Sequence, residues 1–296
     1  MEDYIQSFQL ETSRIRGRMV RLAPVLDEIL TAHKYTGDVL HLTAETLTLC
    51  AMLSSMLKYD GIFTLQAQGD GPVKMVVADM TSAGGLRACA SFKEEEIGSA
   101  KYVDNRVELL GKGYMAFTVD QGEHTDRYQG IVELKPESLL GSVQNYFQQS
   151  EQIATGMVMK VGKVNGKWRG CGIMVQQMPE NSVNYNKDQS NVHEDDWRRT
   201  MILLGSVKDE ELLSTELTAE DLLFRLFHEE GVRVYDPKKL ERTCRCNPDR
   251  VSRILSTMSD DDIAHITVDG KIEMTCEFCS TEYKIDPVDF KKGDNV

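Results

Sequence analysis

Three features that are missing from this 296-residue sequence narrow its function before any motif is considered. No apolar run approaches the roughly 18 residues of a membrane-spanning helix. The first residues are acidic, unlike the basic and then apolar start of a secretory signal peptide. Basic side chains are in deficit, with 34 Lys and Arg against 47 Asp and Glu. Nucleic acids and anionic membranes both require basic surface, so we expect a cytoplasmic protein that binds neither.

Signatures of catalysis are also missing. The chain has no GxSxG nucleophile elbow, no phosphate-binding P-loop and no HExxH metalloprotease motif. The stretch Gly69-Asp70-Gly71-Pro72 has the glycines of a phosphate loop but lacks the following Lys-Ser/Thr, so a hairpin turn explains it better. We therefore expect that the protein is not an enzyme.

The composition is that of an ordinary globular protein, but the charge is unevenly distributed. Hydrophobic residues make up 41% and charged residues 27% of the chain. Residues 176–231 hold 13 acidic side chains and only 5 basic ones. This acidic block predicts an α+β protein in three parts. These are an N-terminal mixed α/β domain (1–178), a helical linker (179–231) and a small C-terminal zinc-binding domain (232–296).

Local patterns predict the elements of the first part. Apolar spacing indicates helices over 20–33, 39–58 and 136–152. Strands are predicted at 62–68, 73–78, 86–92, 113–120 and 127–134. The Asn165-Gly166 pair predicts a hairpin turn between strands 157–164 and 167–176.

The acidic second part reads as a polar loop followed by amphipathic helices. Short helices are predicted at 194–204 and 209–214, and a better one over Thr218–Glu230. Thr218 and Asp221 have the spacing of a capping box, and Gly231 can end the helix. One face of this helix carries an apolar stripe, which consists of Leu222, Leu223, Leu226 and Phe227.

The third part has few apolar side chains for its 65 residues. Its predicted elements are a strand at 232–235, a helix from Asn247 to about Met258, and a hairpin around Asp269-Gly270. A core of this size is marginal without an additional cross-link.

Four of the seven cysteines can supply that cross-link. Cys244 and Cys246 form a CxC pair, and Cys276 and Cys279 form a CxxC pair just after the predicted hairpin. Four thiolates suit a tetrahedral Zn²⁺. Two structural disulfides are the alternative, which the odd cysteine count and the absence of a signal peptide make weaker. The isolated Cys50, Cys89 and Cys171 are predicted to be small buried hydrophobes.

The CxC pair raises the question of redox chemistry. Two cysteines one residue apart can form only a small, strained disulfide ring, and such disulfides are reversible. Oxidation would remove zinc ligands and expel the metal. The loss of metal should unfold so small a domain. From the residues alone, a redox switch and a permanently structural zinc module both remain open.

With these motifs in place, the sequence resembles the bacterial 33 kDa chaperonin family, which are redox-regulated heat-shock holdases. The resemblance covers essentially the whole chain. It rests on the four-cysteine pattern and on stretches at Arg18–Ile29, Leu65–Pro72, Gly130–Leu134 and Phe227–Arg233.

The resemblance implies a mechanism. The reduced protein would hold one zinc through Cys244, Cys246, Cys276 and Cys279 and be inactive. Peroxide or hypochlorite, under unfolding conditions, would form Cys244–Cys246 and Cys276–Cys279 disulfides and release the zinc. The C-terminal domain and the linker would then unfold, and the protein would dimerise and hold unfolding client proteins without ATP. We add the hypothesis that the apolar stripe (Leu222, Leu223, Leu226 and Phe227) becomes the client surface.

Two other classes of function compete with this interpretation. One is a zinc-ribbon module for protein or nucleic-acid interaction, although the slightly acidic C-terminal part disfavours nucleic acid. The other is a thiol-disulfide oxidoreductase that uses Cys276 and Cys279. That motif normally begins a helix in a βαβ unit, whereas here it follows a hairpin.

Overall fold

The structure, a computed structural model, describes residues 2–97, 106–122, 128–151, 153–178 and 190–287. Its contacts divide the chain into a large unit, Met1–Arg242, and a small unit, Thr243–Val296. Residues 190–242 therefore belong to the same compact unit as the first 178 residues. The functional division into domain, linker and zinc domain stays a prediction. The loop predicted over 179–191 lies outside the described residues except at its end, where Ser190 and Asn191 already belong to a helix.

Two six-stranded sheets form the frame of the large unit. The first sheet is antiparallel, with the order β10-β1-β2-β9-β8, and β11 also pairs with β1. Its strands are β1 (Tyr4–Leu10), β2 (Ile15–Leu22), β8 (Thr155–Val164), β9 (Lys167–Gln177), β10 (Val232–Val234) and β11 (Lys238–Lys239). The second sheet has the order β12-β5-β4-β3-β6-β7. Its strands are β3 (Ile62–Gly69), β4 (Val73–Thr81), β5 (Gly85–Phe92), β6 (Gly113–Asp120), β7 (Tyr128–Glu133) and β12 (Glu241–Arg242).

The main core lies around helix α2 (Gly37–Ser54), which contacts strands of both sheets. This helix is apolar on almost every side, as a helix enclosed by other elements must be. Its three buried threonines, Thr43, Thr46 and Thr48, each donate a 2.8 Å hydrogen bond to the carbonyl four residues earlier. Their hydroxyls are thus satisfied without any outside partner. The remaining helices of this layer are α1 (Pro24–Thr31), α3 (Glu94–Ile97) and α4 (Leu139–Tyr146), which continues into a π-helical turn (Phe147–Glu151).

A second core lies on the opposite face of the first sheet. It is covered by α5 (Ser190–Gly205), α6 (Asp209–Leu212), α7 (Ala219–Phe227) and a 3₁₀ turn (His228–Glu230). We call residues 190–230 the cover segment. The apolar stripe of α7 packs here on Phe8, Ile15 and other buried side chains of the sheet.

The small unit has a sparse core, as its composition predicts. It contains α8 (Pro248–Ser256), α9 (Asp260–His265) and an antiparallel sheet of β13 (Thr267–Val268), β14 (Lys271–Thr275) and β15 (Glu282–Ile285). In the described part of this unit, the buried cluster consists of Val251, Leu255 and Ile272, with partly buried side chains around it. So small a core leaves room for a metal to contribute to folding.

The turn-forming pairs are confirmed, whereas several helix boundaries are wrong. Asn165-Gly166 and Asp269-Gly270 have the positive φ angles (52° and 80°, 49° and 76°) that two-residue hairpins favour. The helix predicted over 20–33 begins only at Pro24, because residues 15–22 form a strand between β1 and β9. The helix predicted over 39–58 ends at Ser54, and the one predicted over 136–152 begins at Leu139. Among the described residues, no helix has the length and apolar character that a membrane crossing requires.

Candidate metal centre in the small unit

The structure brings the four predicted ligands together. The sulfurs of Cys244, Cys246, Cys276 and Cys279 all lie within 4.8 Å of one another. Two of the separations are 3.7 Å, between Cys244 and Cys276, and 3.4 Å, between Cys246 and Cys279. Bonds of ~2.3 Å to a tetrahedral zinc would place the sulfurs about 3.8 Å apart. The donor set and its spacing therefore fit Zn²⁺.

Tight local structure presents each pair. The CxC pair lies between β12 and α8, and the Asn247 side chain caps that helix by accepting a 2.8 Å hydrogen bond from the Arg250 N–H. The CxxC pair lies in the connection from β14 to β15. There the Ser280 N–H donates to the Cys276 carbonyl at 2.8 Å, and Ser280 takes a left-handed φ of 57°. This turn directs both sulfurs of the pair to one side.

The thiols differ in their readiness to ionise. Burial raises the pKa of Cys246 and raises that of Cys276 to about 12. Burial also opposes ionisation of Cys279, but hydrogen bonds from the hydroxyl and backbone of Thr281, together with those from Cys246 and Cys244, lower its pKa to about 6. Of these three thiols, Cys279 is therefore the one best prepared to become a thiolate, the form that binds metal.

Two residues of this site escaped sequence analysis. The Thr281 hydroxyl lies 3.2 Å from the Cys279 sulfur. Tyr283 on β15 is hydrogen-bonded to Cys246, which, with burial, raises the Tyr283 pKa to about 12. Thr281 directly precedes β15 and Tyr283 lies on it, two residues further on; this spacing is the signal in the sequence that could have indicated them.

The other predicted residues lie in the large unit. Cys50, Cys89 and Cys171 are buried, as predicted for packing residues. Burial raises the pKa of Cys171 to about 12, so it is a poor nucleophile. Leu222, Leu223, Leu226 and Phe227 are all buried, with exposures of 0 to 2%. In this state the proposed client surface is covered.

Comparison with known proteins assigns the chain to a family. The family described as "Hsp33 protein" matches residues 3–286. The chain belongs to the Hsp33 family. A 33 kDa chaperonin of Caulobacter vibrioides is 37% identical over 295 residues, which cover 97% of this chain and 96% of that protein. One of Escherichia coli (strain K12 / DH10B) is 33% identical over 288 residues, covering 97% and 93%.

The fold is also that of a solved member of the Hsp33 family. The crystal structure of the 33 kDa chaperonin of Thermotoga maritima superimposes with a TM-score of 0.78. The alignment covers 98% of this chain and 97% of that one, at 20% identity.

Proposed function

We propose that this protein is a redox-regulated, ATP-independent holdase chaperone. The observation that carries the proposal is the position of the four cysteine sulfurs, within 4.8 Å of one another, in a unit with only a small apolar core. Metal binding to such a unit is coupled to its folding, so a reaction that removes the ligands also removes the fold. The names of the 33 kDa chaperonin relatives support a chaperone role.

In the reduced form, Cys244, Cys246, Cys276 and Cys279 would hold one zinc per chain. The metal, when bound, cross-links four points of the small unit, and four thiolates on Zn²⁺ carry a net charge of −2. The hydrogen bonds of Thr281 and Tyr283 orient and stabilise the sulfurs of Cys279 and Cys246.

Oxidation would convert the four thiolates into two disulfides. Each disulfide forms as two sulfurs give up two electrons to one peroxide, which takes up two protons and becomes two waters. Four electrons and two peroxides thus complete the reaction, and the zinc leaves as Zn²⁺. We propose the pairs Cys244–Cys246 and Cys276–Cys279. The cross pairs are also within 4.8 Å, so mass spectrometry of the oxidised peptides distinguishes the two outcomes.

Loss of the small unit's fold would reach the cover segment through the chain that joins them. The strands β10, β11 and β12 run along the edges of both sheets and end at Arg242, directly before the small unit. We propose that residues 179–231 act as a metastable linker that unfolds after the small unit. The apolar stripe on α7 then becomes available to unfolding proteins, and the acidic charges keep the opened segment in solution.

The rest of the proposal follows from the same mechanism. The oxidised protein forms a homodimer, acts in the cytoplasm, and binds neither nucleic acid nor membranes. It holds clients without catalysing a reaction.

Zinc release and client protection test the proposal together. Peroxide treatment of the reduced protein should release about one zinc per chain, measured with a chromogenic chelator, and should coincide with new suppression of the aggregation of a denatured client. The variant Cys89→Ser, which alters a buried cysteine of the large unit, should behave like the wild type. Retention of zinc, or release without any gain in suppression, would contradict the proposal.

Charge substitutions test the client surface separately. Leu223→Asp and Leu226→Asp are compared with Phe224→Asp on the same helix, since Phe224 is 63% exposed and outside the stripe. We expect the stripe variants to lose suppression by the oxidised protein and the Phe224 variant to keep it. Full activity in the stripe variants would remove these residues from the client surface while leaving the redox switch intact.

The competing oxidoreductase has less structural support. Its CxxC motif would begin a helix, whereas Cys276 and Cys279 lie between two strands of a hairpin. Repeated turnover of a disulfide substrate by the reduced protein would favour that alternative.

A further inference from the structure

A separate apolar pocket lies in the large unit, far along the chain from the four cysteines of the candidate metal centre. Its volume is about 210 Å³. Its walls include Leu53 near the end of α2, Met56 just after that helix, and Phe63 and Phe117 from the second sheet. A dry cavity of roughly 150 Å³ is enough to bind benzene. The pocket can therefore take an aromatic ring together with a short substituent.

Three polar side chains, those of Tyr128, Tyr146 and Glu151, meet at the edge of this pocket. Tyr128 on β7 and Tyr146 on α4 donate hydrogen bonds of 2.7 and 2.8 Å to the same oxygen of Glu151, Oε1. The two phenolic oxygens are themselves 3.1 Å apart. Burial and the hydrogen bonds to Glu151 raise the pKa of both tyrosines above its ordinary value of 10, so both phenols are neutral donors.

The π-helical turn explains how this arrangement forms. Tyr146 and Glu151 are five residues apart, and in an α-helix that spacing places side chains about 140° apart around the axis. The wider turn over Phe147–Glu151 returns Glu151 to the side of Tyr146. Such turns are frequent at functional sites.

Glu151 has a second carboxylate oxygen, Oε2, that the two phenols do not use. Both phenols donate to Oε1, and within the part of the chain that the structure describes, Oε2 has neither a hydrogen-bond nor an ion-pair partner. A carboxylate beside apolar walls attracts a donor that carries positive charge. The rings of Phe117 and Tyr146 meet edge to face, with their centroids 4.5 Å apart. Aromatic rings beside the carboxylate would attract a bound cation further through cation–π interactions.

We propose that this pocket binds a small organic cation, namely a primary amine attached to an aromatic or branched apolar body. The apolar body fills the cavity among Leu53, Met56 and Phe63, and the ammonium group donates to Oε2 of Glu151. The net charge of −13 favours a cationic ligand over an anionic one. This proposal does not depend on the chaperone function.

The test uses the reduced, zinc-loaded full chain and 2-phenylethylamine as the probe. Binding is followed by calorimetry and by the methyl signal of Met56, with the signal of Met258 in the small unit as an internal reference. We expect saturable binding of the amine, a shift of Met56 alone, and much weaker binding of the neutral 2-phenylethanol and the anionic 3-phenylpropanoate.

Variants then test whether Glu151 supplies the carboxylate that binds the amine. Glu151→Gln should weaken amine binding by about tenfold or more, the loss expected for one hydrogen bond between charged groups. Glu137→Gln, which alters an exposed carboxylate that does not line the pocket, should leave binding unchanged. Leu57→Lys places a competing ammonium at a pocket residue that is 39% exposed, and it should block binding without altering Glu151.

Three results would overturn the proposal. The first is the absence of saturable binding up to about 10 mM amine, a range that would reveal even the weak affinity of small fragments. The second is equal affinity for the amine, the alcohol and the acid. The third is an equal effect of Glu151→Gln and Glu137→Gln, or full binding by Leu57→Lys.

Discussion

The guanidinium of Arg199 on α5 is paired with the carboxylate of Glu230, in the 3₁₀ turn that ends the cover segment. One of their hydrogen bonds, from Nη2 to Oε2, is 3.0 Å long, and Glu230 is only 3% exposed. The Thr12 hydroxyl donates to the same carboxylate at 3.0 Å. The pair thus joins the first helix of the cover segment to its last turn and to the loop between β1 and β2.

Acid should loosen the cover segment through this pair. The hydrogen bond from Arg199 is the main cause that lowers the pKa of Glu230 below its ordinary value of 4.5. The ionised carboxylate therefore stabilises the folded state fully above about pH 4.5, and that contribution is lost as the pH falls through the lower folded value. Hydrogen exchange of residues 190–230, corrected for intrinsic rates, should show reduced protection over this range.

The Glu230→Gln variant isolates the carboxylate. It should lower the free energy of unfolding at pH 7 by about 1–2 kcal/mol, a modest value because Arg199 is half exposed to solvent. Its difference from the wild type should vanish at acid pH. Arg198→Met, which breaks only the exposed pair with Glu194, should change stability by no more than about 0.5 kcal/mol. Equal losses of unfolding free energy in the two variants would show that the Arg199–Glu230 pair contributes no more stability than an exposed pair.

Two phenylalanines on α7 give a matched comparison of packing. Phe227 is fully buried and stacks on Phe8, with ring centroids 5.8 Å apart, whereas Phe224 is 63% exposed. Phe227→Ala should cost about 3–5 kcal/mol and loosen the cover segment, so that the reduced protein suppresses client aggregation without an oxidant. Phe224→Ala should have little effect. If the reduced Phe227→Ala variant suppressed aggregation no better than the reduced wild type, loosening of the cover segment would not be sufficient for client binding.

Metal removal should unfold the small unit while the core around α2 stays folded. Its buried cluster of three side chains is too small to hold it together, whereas the large unit has two extensive cores. In a chelator with a reductant, we expect the NMR signals of residues 243–287 to collapse to random-coil positions while those of α2 stay dispersed. Readdition of zinc should restore them. Persistent dispersion of the small unit without metal would contradict this expectation.

A methyl group added at Gly17, on strand β2 of the sheet that the cover segment covers, should destabilise the packing of that segment. A Cβ built on Gly17 would lie 2.0 Å from the tip of the Phe8 ring, which is 1% exposed and stacks on Phe227. Gly17→Ala should therefore cost about 1–3 kcal/mol of stability, the usual range for overpacking. Gly37→Ala, where a Cβ meets no atom within 4 Å, serves as the control in thermal unfolding.

Features that depend on a few neighbouring residues could be predicted well from the sequence. The Asn165-Gly166 and Asp269-Gly270 pairs specify their turns directly, because their positive φ angles suit few other residues. The cluster of Cys244, Cys246, Cys276 and Cys279 was predicted in the same way, from their spacing, and the structure brings the four sulfurs together. Thr281 and Tyr283 were missed because threonine and tyrosine are common in strands, and their roles depend on the geometry around the sulfurs.

Elements that depend on distant partners were predicted less well. Residues 20–22 have helical spacing with the residues that follow, yet they belong to a strand held between residues 4–10 and 170–177. The amphipathic character of α7 was visible in its apolar stripe. That this stripe covers the first sheet could not be inferred, because the sheet is assembled from strands throughout the chain.

The attachment of the cover segment at both ends has a consequence for how clients bind. The segment is preceded by β9 and followed by β10, which both belong to the sheet that it covers. While β10 stays paired, an opened stripe remains tethered near its own binding face, at an effective concentration on the order of millimolar. Under the proposed function, the sheet and the client would therefore compete for the same side chains, and the sheet would act as an internal competitor. Clients that bind weakly would be displaced as soon as the cover segment refolds.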